Sequence, residues 1–117
     1  FRDILRPRIA VWMKAKAYTH EQFTQEELAA RLYTNKTYLS TFIKDEYDMN
    51  FSSWVASLRI DEAKRIMLKE PEKKLQEVAY ECGFSSLAYF SSVFSKSEGI
   101  SPSAWQREFS RKTDGEQ

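Results

Sequence analysis

Glycine and proline are scarce in this sequence, with three of each among 117 residues. Hairpins and tight turns consume such residues, so their scarcity argues against a turn-rich all-β fold and against a collagen-like or linker-dominated chain. The length suits one domain, and a hydrophobic content of 42% is sufficient to form its core. We therefore predict an all-α domain.

Cysteine and histidine are nearly absent as well. Cys82 is the one cysteine and His20 the one histidine, so neither an internal disulfide nor a Cys/His zinc site can form. No nucleophile with its base, phosphate-binding loop or carboxylate-histidine cluster is visible. The sequence predicts no enzyme activity, no metal and no cofactor, and we expect Cys82 to pack inertly on the apolar side of its helix.

Long apolar runs and a basic leader are also missing. The longest apolar runs are a few residues long, whereas roughly 18 residues are needed to indicate a membrane span. We therefore expect a cytoplasmic protein with no membrane contact from this segment.

The formal net charge is only +1. Because nucleic-acid-binding domains are usually basic overall, this balance by itself disfavours a nucleic-acid partner.

Apolar residues recur at helical spacing along almost the whole chain. Pro7 is acceptable in the first turn of a helix, Thr24 and Glu27 form a capping box, and Pro71 limits the longest helix. Residues 110–117 are polar and predicted to be a flexible tail. The predicted helices cover about 7–17, 24–32, 35–47, 50–69 and 75–82, one from Ser85 or Ser86 to Gly99, and one from Ser101 to Phe109.

An internal repeat is the most informative feature of the sequence. Residues 38–44 (YLSTFIK) match residues 89–95 (YFSSVFS) at an offset of 51. Upstream, residues 27–29 (ELA) match residues 77–79 (EVA) at an offset of 50, so the turn in the second copy is one residue longer. Each copy reads as a short helix, a turn and a second helix with its own apolar stripe, which is the helix-turn-helix plan.

These segments resemble the DNA-binding domain of the AraC/XylS family of bacterial transcription regulators. Residues 26–44 (EELAARLYTNKTYLSTFIK) resemble the first helix-turn-helix of that family. Residues 56–68 (ASLRIDEAKRIML) match its Arg-containing connecting helix, and residues 77–105 match the signature of the second unit. The resemblance covers about residues 20–108, and the order and spacing of the segments make it specific.

The resemblance implies about seven helices in an AraC-type domain of residues 1–109. Its two helix-turn-helix units, about 24–47 and about 74–98, would be joined by the long connecting helix. The implied function is sequence-specific binding of double-stranded DNA as the C-terminal domain of a bacterial transcription regulator. The implied partners beyond DNA are an upstream sensing domain in the full-length protein and possible contact with RNA polymerase.

The length of the connecting helix fits this expectation. A helix from about residue 51 to 69 is roughly 28 Å long at 1.5 Å per residue, while successive major-groove faces on one side of B-DNA lie roughly 34 Å apart. One chain could then place two recognition helices in adjacent major grooves. The target would lack the palindromy that a two-fold dimer imposes.

The predicted DNA-contacting residues lie on the two recognition helices. No arginine occurs in either helix, so the commonest bidentate contact to guanine is missing, and we expect hydroxyl and methyl contacts to a target rich in A·T pairs. By family position, the predicted base contacts are Thr37, Ser40, Thr41, Leu87, Ala88, Ser91 and Ser92. The predicted backbone contacts are Lys36, Lys44, Ser95, Lys96 and Arg107.

An alternative from another class is a helical protein-interaction adaptor that kept this architecture but reduced or lost its DNA affinity. Asp45, Glu46 and Asp48 directly follow the first recognition face, where acid would repel phosphate. Asp48 also occupies the place that Gly99 takes in the second copy. A DNA-binding assay at low salt discriminates between the two hypotheses.

Overall fold

The computed structural model describes the backbone of residues 2–20 and 22–115 and the side chains of residues 2–20 and 22–109. All regular structure in these residues is helical, with seven α-helices and one 3-10 turn, and the all-α prediction is confirmed. The helices are α1 Arg2–Lys14, α2 Gln25–Arg31, α3 Lys36–Tyr47, α4 Phe51–Lys69, α5 Leu75–Glu81, α6 Leu87–Glu98 and α7 Pro102–Gly115, and the 3-10 turn is Ala17–Thr19.

The chain divides into two compact units, Phe1–Ala56 and Ser57–Gln117. In the first unit an aromatic cluster joins α1, α3 and α4. The Trp54 ring is 1% exposed and stacks on Trp12 with centroids 5.5 Å apart and on Tyr47 at 5.7 Å. Stacked aromatic pairs add to the free energy gained from burying their surface, so this cluster holds the three helices together.

The second unit has a core of its own. Phe90 and Phe94 of α6 are fully buried, and their rings meet edge to face at 5.6 Å. Phe94 also meets the ring of Trp105 from α7 at 5.8 Å. The remaining buried members come from the C-terminal part of α4, from α5 and from the turn after it: Ile60, Ala63, Ile66, Met67, Val78, Ala79, Cys82 and Phe84.

Cys82 is buried in this second core, as the sequence predicted. Burial is the main cause that raises the pKa of its thiol to about 12, and the nearby Glu62 and Glu81 carboxylates act in the same direction. Because the thiolate is the reactive form of cysteine, Cys82 is chemically inert in the folded protein.

Helix α1 differs from its predicted bounds of about 7–17. It begins at Arg2, encloses Pro7 and ends at Lys14. The earlier start follows from burial, because Leu5 is 1% exposed and lies on one stripe with Ile9 and Trp12, so packing holds a helical turn before the proline. The earlier end follows from Lys16, whose φ of 57° lies in the left-handed region and breaks the helix before the 3-10 turn.

Helix α7 continues to Gly115, beyond its predicted end near residue 109. The side chains of residues 110–117 and the backbone of residues 116 and 117 lie outside the described residues. The flexible tail predicted for residues 110–117 therefore stays a prediction.

Side-chain caps begin the helices where the sequence placed them. The Thr24 hydroxyl accepts a hydrogen bond from the Glu27 amide at 3.1 Å ahead of α2. The Asn50 side chain accepts one from the Ser53 amide at 2.8 Å ahead of α4. Such caps satisfy backbone donors that have no partner inside the helix, so these helix starts are set by the local sequence.

Candidate nucleic-acid interface

The two copies of the repeat end their first helix with the same backbone turn. The Thr34 amide donates to the Ala29 carbonyl at 2.9 Å, and the Phe84 amide donates to the Ala79 carbonyl at 3.0 Å. Both bonds close the Schellman arrangement that satisfies the last carbonyls of a helix. The sequence repeat is thus a structural repeat, with the same exit from α2 and from α5.

Left-handed backbone also occurs at matched positions. Tyr33 has a φ of 59° where the second copy has Gly83 at 95°, and Ser85 is the extra residue of the second turn. Asp48 after α3 has a φ of 56°, and Gly99 after α6 has a φ of 82°. Asp48 therefore has the left-handed conformation of Gly99, the residue that it matches in the second copy. Aspartate adopts this conformation more readily than most residues do.

Helix α3 presents a continuous polar face. Asn35 caps it, because its side chain accepts a hydrogen bond from the Tyr38 amide at 2.9 Å. One side of the helix is buried through Leu39, Phe42 and Ile43. The other side carries four of the predicted contact residues of this copy, and Lys36 lies in the first turn beside the buried stripe. All five are exposed: Lys36, Thr37, Ser40, Thr41 and Lys44.

Helix α6 repeats this arrangement. Of the two candidate caps, Ser86 is the one used, and its hydroxyl accepts from the Tyr89 amide at 3.1 Å. Phe90 and Phe94 are buried. Among the predicted contact residues of this copy, Leu87, Ala88, Ser92 and Lys96 are exposed, while Ser91 and Ser95 are half-buried.

The two predicted phosphate-contacting lysines of α3 lie beside carboxylates. The Lys36 ammonium is 3.1 Å from the Glu26 carboxylate of α2, and the Lys44 ammonium donates to Asp48 at 2.9 Å. The hydrogen bond between the two side chains, together with the opposite charge of each partner, raises the pKa of Lys44 and lowers the pKa of Asp48. Both pairs are exposed and individually weak, so phosphate can compete for either lysine.

Arg107 and Lys96 are the other charged residues predicted to contact the DNA backbone. Arg107 is exposed on α7, and Lys96 is exposed in the last turn of α6. Both belong to the second unit, whereas Lys36 and Lys44 belong to the first. Each unit thus carries its own set of predicted contact residues, with cations in both.

Three exposed tyrosines lie beside these faces. Tyr38 and Tyr89 each precede the first buried residue of their helix, a position from which the sequence allows either packing or a reach toward phosphate. They are 52% and 53% exposed, and the Tyr89 ring also meets Phe84 at 5.8 Å. Tyr33, at the turn before α3, is also exposed, and the Arg8 guanidinium lies over its ring at 5.4 Å.

Among the described residues, no three His, Cys, Asp or Glu side chains cluster as a metal site requires. None of the helices in this part of the chain combines the length and the apolar character that crossing a bilayer requires.

Comparisons with known proteins agree with this geometry. Residues 28–108 match the model of a helix-turn-helix domain family. The chain is 29% identical over 119 residues to YijO, an uncharacterised HTH-type transcriptional regulator of Escherichia coli K12, and the match covers 92% of this chain and 42% of YijO. The chain therefore spans less than half the length of this relative.

Solved structures show the same fold. The DNA-binding domain of AdpA, a global transcriptional factor in complex with a target DNA, has a TM-score of 0.78 and 27% identity, with 92% of this chain and 94% of that chain covered. The C-terminal domain of AraT, a response regulator from Geobacillus stearothermophilus, has a TM-score of 0.76 and 28% identity, with 90% and 84% covered. Since the family match extends over residues 28–108 and these two structures match at least 90% of this chain, the chain belongs to the AraC-type helix-turn-helix family of transcription regulators.

Proposed function

We propose that this chain binds double-stranded DNA sequence-specifically, with α3 and α6 as recognition helices that enter adjacent major grooves. The observation that carries the proposal is the matched exposure of the two helices. Thr41 and Ser92 occupy one register position of the repeat, are exposed, and lie opposite the buried stripes of their helices. Two copies that keep matching positions exposed, each after the same Schellman exit from the preceding helix, support a common function for those positions.

The chemistry of the two faces favours a particular kind of target. Ser and Thr hydroxyls can pair with donors or acceptors on any base, whereas Leu87 and Ala88, exposed in the first turn of α6, offer apolar contact to thymine methyl groups. Small side chains also permit close approach and water-mediated contacts. We propose a target rich in A·T pairs that is read partly through DNA shape.

Selection of binding sites from a random duplex library tests this function. The 117-residue chain should enrich A·T-rich duplexes without two-fold symmetry, because each chain carries both recognition helices and the faces lack arginine. The enriched duplexes are then measured by fluorescence polarisation at low salt, with a shuffled duplex of the same composition as the control. Selected sites dominated by contacted guanines would contradict the proposed readout.

The same polarisation measurement distinguishes DNA binding from the adaptor alternative. A DNA-binding domain retains measurable affinity at low salt, since phosphate contacts supply most of the sequence-independent free energy. Absence of binding to every duplex at low salt would favour a protein-interaction adaptor and overturn the proposed function.

Lys44→Ala tests the predicted backbone contacts. Each phosphate contact releases about one counterion, so losing this lysine should flatten the plot of log affinity against log salt by about one unit. Lys69→Ala is the matched control, because Lys69 is exposed at the end of α4 and outside the proposed faces. An unchanged slope in the Lys44 variant would remove Lys44 from the footprint.

The setting of this domain in a regulator is also a proposal. AraT is described as a response regulator, which supports a sensing region beside this kind of domain, and we propose that such a region controls it. We further propose contact with RNA polymerase, action in the cytoplasm where bacterial DNA lies, and no catalytic activity of the domain itself.

A further inference from the structure

Two arginines of α1 are paired with two carboxylates at the end of α3. The Arg2 guanidinium forms an ion pair with the Asp45 carboxylate, and the Arg6 guanidinium forms one with the Glu46 carboxylate. Arg6 also lies 4.0 Å from Asp3, on its own helix. About 40 residues separate the partners in the sequence, so these pairs exist only because α1 packs against α3.

The packing of α1 holds the two arginines in place. The Arg6 guanidinium lies 6.0 Å from the centre of the Phe42 ring of α3. The Tyr47 hydroxyl donates to the Met13 sulfur at 3.7 Å, and Trp12 of α1 stacks on Trp54. The contacting residues Arg6, Trp12 and Met13 span more than half of α1. The contacts of Arg6 and Met13 hold the helix against Phe42 and Tyr47 in the C-terminal half of α3.

Of the two paired carboxylates, Asp45 lies next to the proposed DNA face. It follows Thr41 by four residues, which is about one helical turn or 6 Å along the helix axis, below the Debye length of about 8 to 10 Å at ordinary ionic strength. The Asp45 side chain is 37% exposed, so its charge, if unpaired, would act on nearby phosphates. The Glu46 side chain is 25% exposed and follows the buried Phe42 by one turn, so its charge would act from the other side of the helix and more weakly.

We propose that Arg2 and Arg6 are positioning residues for DNA binding, which hold and neutralise the Asp45 and Glu46 carboxylates beside the recognition face of α3. The inference rests on the proposed function of α3. It also accounts for the acidic residues that favoured the adaptor alternative. Asp45 and Glu46 are paired with α1 and Asp48 is paired with Lys44, so all three carboxylates have cationic partners in the folded chain.

The double variant Arg2→Gln/Arg6→Gln tests the proposal in the 117-residue chain. Affinity for a labelled duplex recovered by the selection above should fall by about three- to tenfold, because two negative charges are left within a Debye length of the phosphates. The loss should shrink as salt is raised from about 50 to 200 mM. Arg65→Gln is the control, since Arg65 is likewise paired with a carboxylate, Glu62, but on α4.

Removing the two carboxylates in the same background distinguishes neutralisation of their charge from direct contact of the arginines with DNA. Arg2→Gln/Arg6→Gln/Asp45→Asn/Glu46→Gln should return to wild-type affinity within about twofold, because no charge is left to neutralise. Arg2→Lys/Arg6→Lys keeps both positive charges and should also stay near wild-type affinity. Exposed ion pairs contribute little to stability, and circular dichroism with denaturant titration checks that each variant folds as the wild type does.

The outcomes are distinct. If the wild type binds and the double glutamine variant binds equally well, the inference is overturned and the proposed function stands. If the quadruple variant stays as weak as the double variant, the arginines contact DNA themselves, and neutralisation is overturned. If the wild type binds no duplex at low salt, both the function and the inference are overturned. Loss in the double variant with recovery in the quadruple and lysine variants establishes the inference.

Discussion

Replacing Thr41 or Ser92 by glutamate should lower DNA affinity by at least about tenfold in each case, because a good base contact contributes roughly 1 to 3 kcal/mol and the new charge repels phosphate. The two residues occupy equivalent register positions on α3 and α6 and both are exposed. A glutamate at either position extends from the centre of the polar face into the space proposed for DNA. Combining the two substitutions should abolish specific binding and leave the fold unchanged.

Ala10→Glu is the control for added charge, because Ala10 is exposed on α1 and outside both recognition faces. It should change affinity by less than the glutamates on α3 and α6 do. Fluorescence polarisation with the selected duplex measures all variants, and circular dichroism confirms their helical content. If Thr41→Glu and Ser92→Glu both bind as tightly as the wild type, these faces do not contact DNA. An effect at only one of the two positions would assign recognition to that copy of the repeat alone.

Phe94→Ala should lower the free energy of unfolding by about 3 to 5 kcal/mol, the cost of removing a buried phenyl ring and leaving a cavity. Phe94 is fully buried, and its ring meets Phe90 at 5.6 Å and Trp105 at 5.8 Å. A domain of this kind has a net stability of only about 5 to 15 kcal/mol, so one substitution removes much of it. Weaker DNA binding should follow, because α6 is held in place by this core.

Leu68→Ala is the matched control within the same unit. Leu68 is 45% exposed on α4, so its truncation should cost less than about 1 kcal/mol. Denaturant titration followed by circular dichroism gives the difference in unfolding free energy, provided that the slope is unchanged. A cost below about 1 kcal/mol for Phe94→Ala would mean that the second core is not packed as the structure shows.

Much of the fold could be predicted from local patterns. The stripe of Leu39, Phe42 and Ile43 follows helical spacing, and burial of this side leaves Thr41 exposed. Caps are equally local, since the Asn35 side chain reaches an amide only three residues away. Sequence spacing decides such features because the partners lie within one helical turn.

Features that depend on distant partners were missed or left open. The sequence predicts a start of α1 at Pro7, because the conformational preference of proline is local, whereas the burial of Leu5 is set by packing. The pairing of Lys36 with Glu26 joins two helices. By contrast, Lys44 and Asp48 form an i, i+4 ion pair on one helix. Their spacing in the sequence is sufficient to predict this pair.

The sequence by itself determined the all-α class, the two helix-turn-helix copies, the one-residue difference between their turns and the side of each recognition helix that is polar. These are consequences of periodicity and caps, which act over a few residues. Only the tertiary structure decided which partners the acidic residues at the C-terminal end of α3 have. From the sequence alone, Asp45 and Glu46 are charges that would repel DNA. In the folded chain their carboxylates form ion pairs with Arg2 and Arg6. The physical reason is that the sign of a local electrostatic field depends on every charge within a Debye length, and folding brings those charges together from opposite ends of a unit.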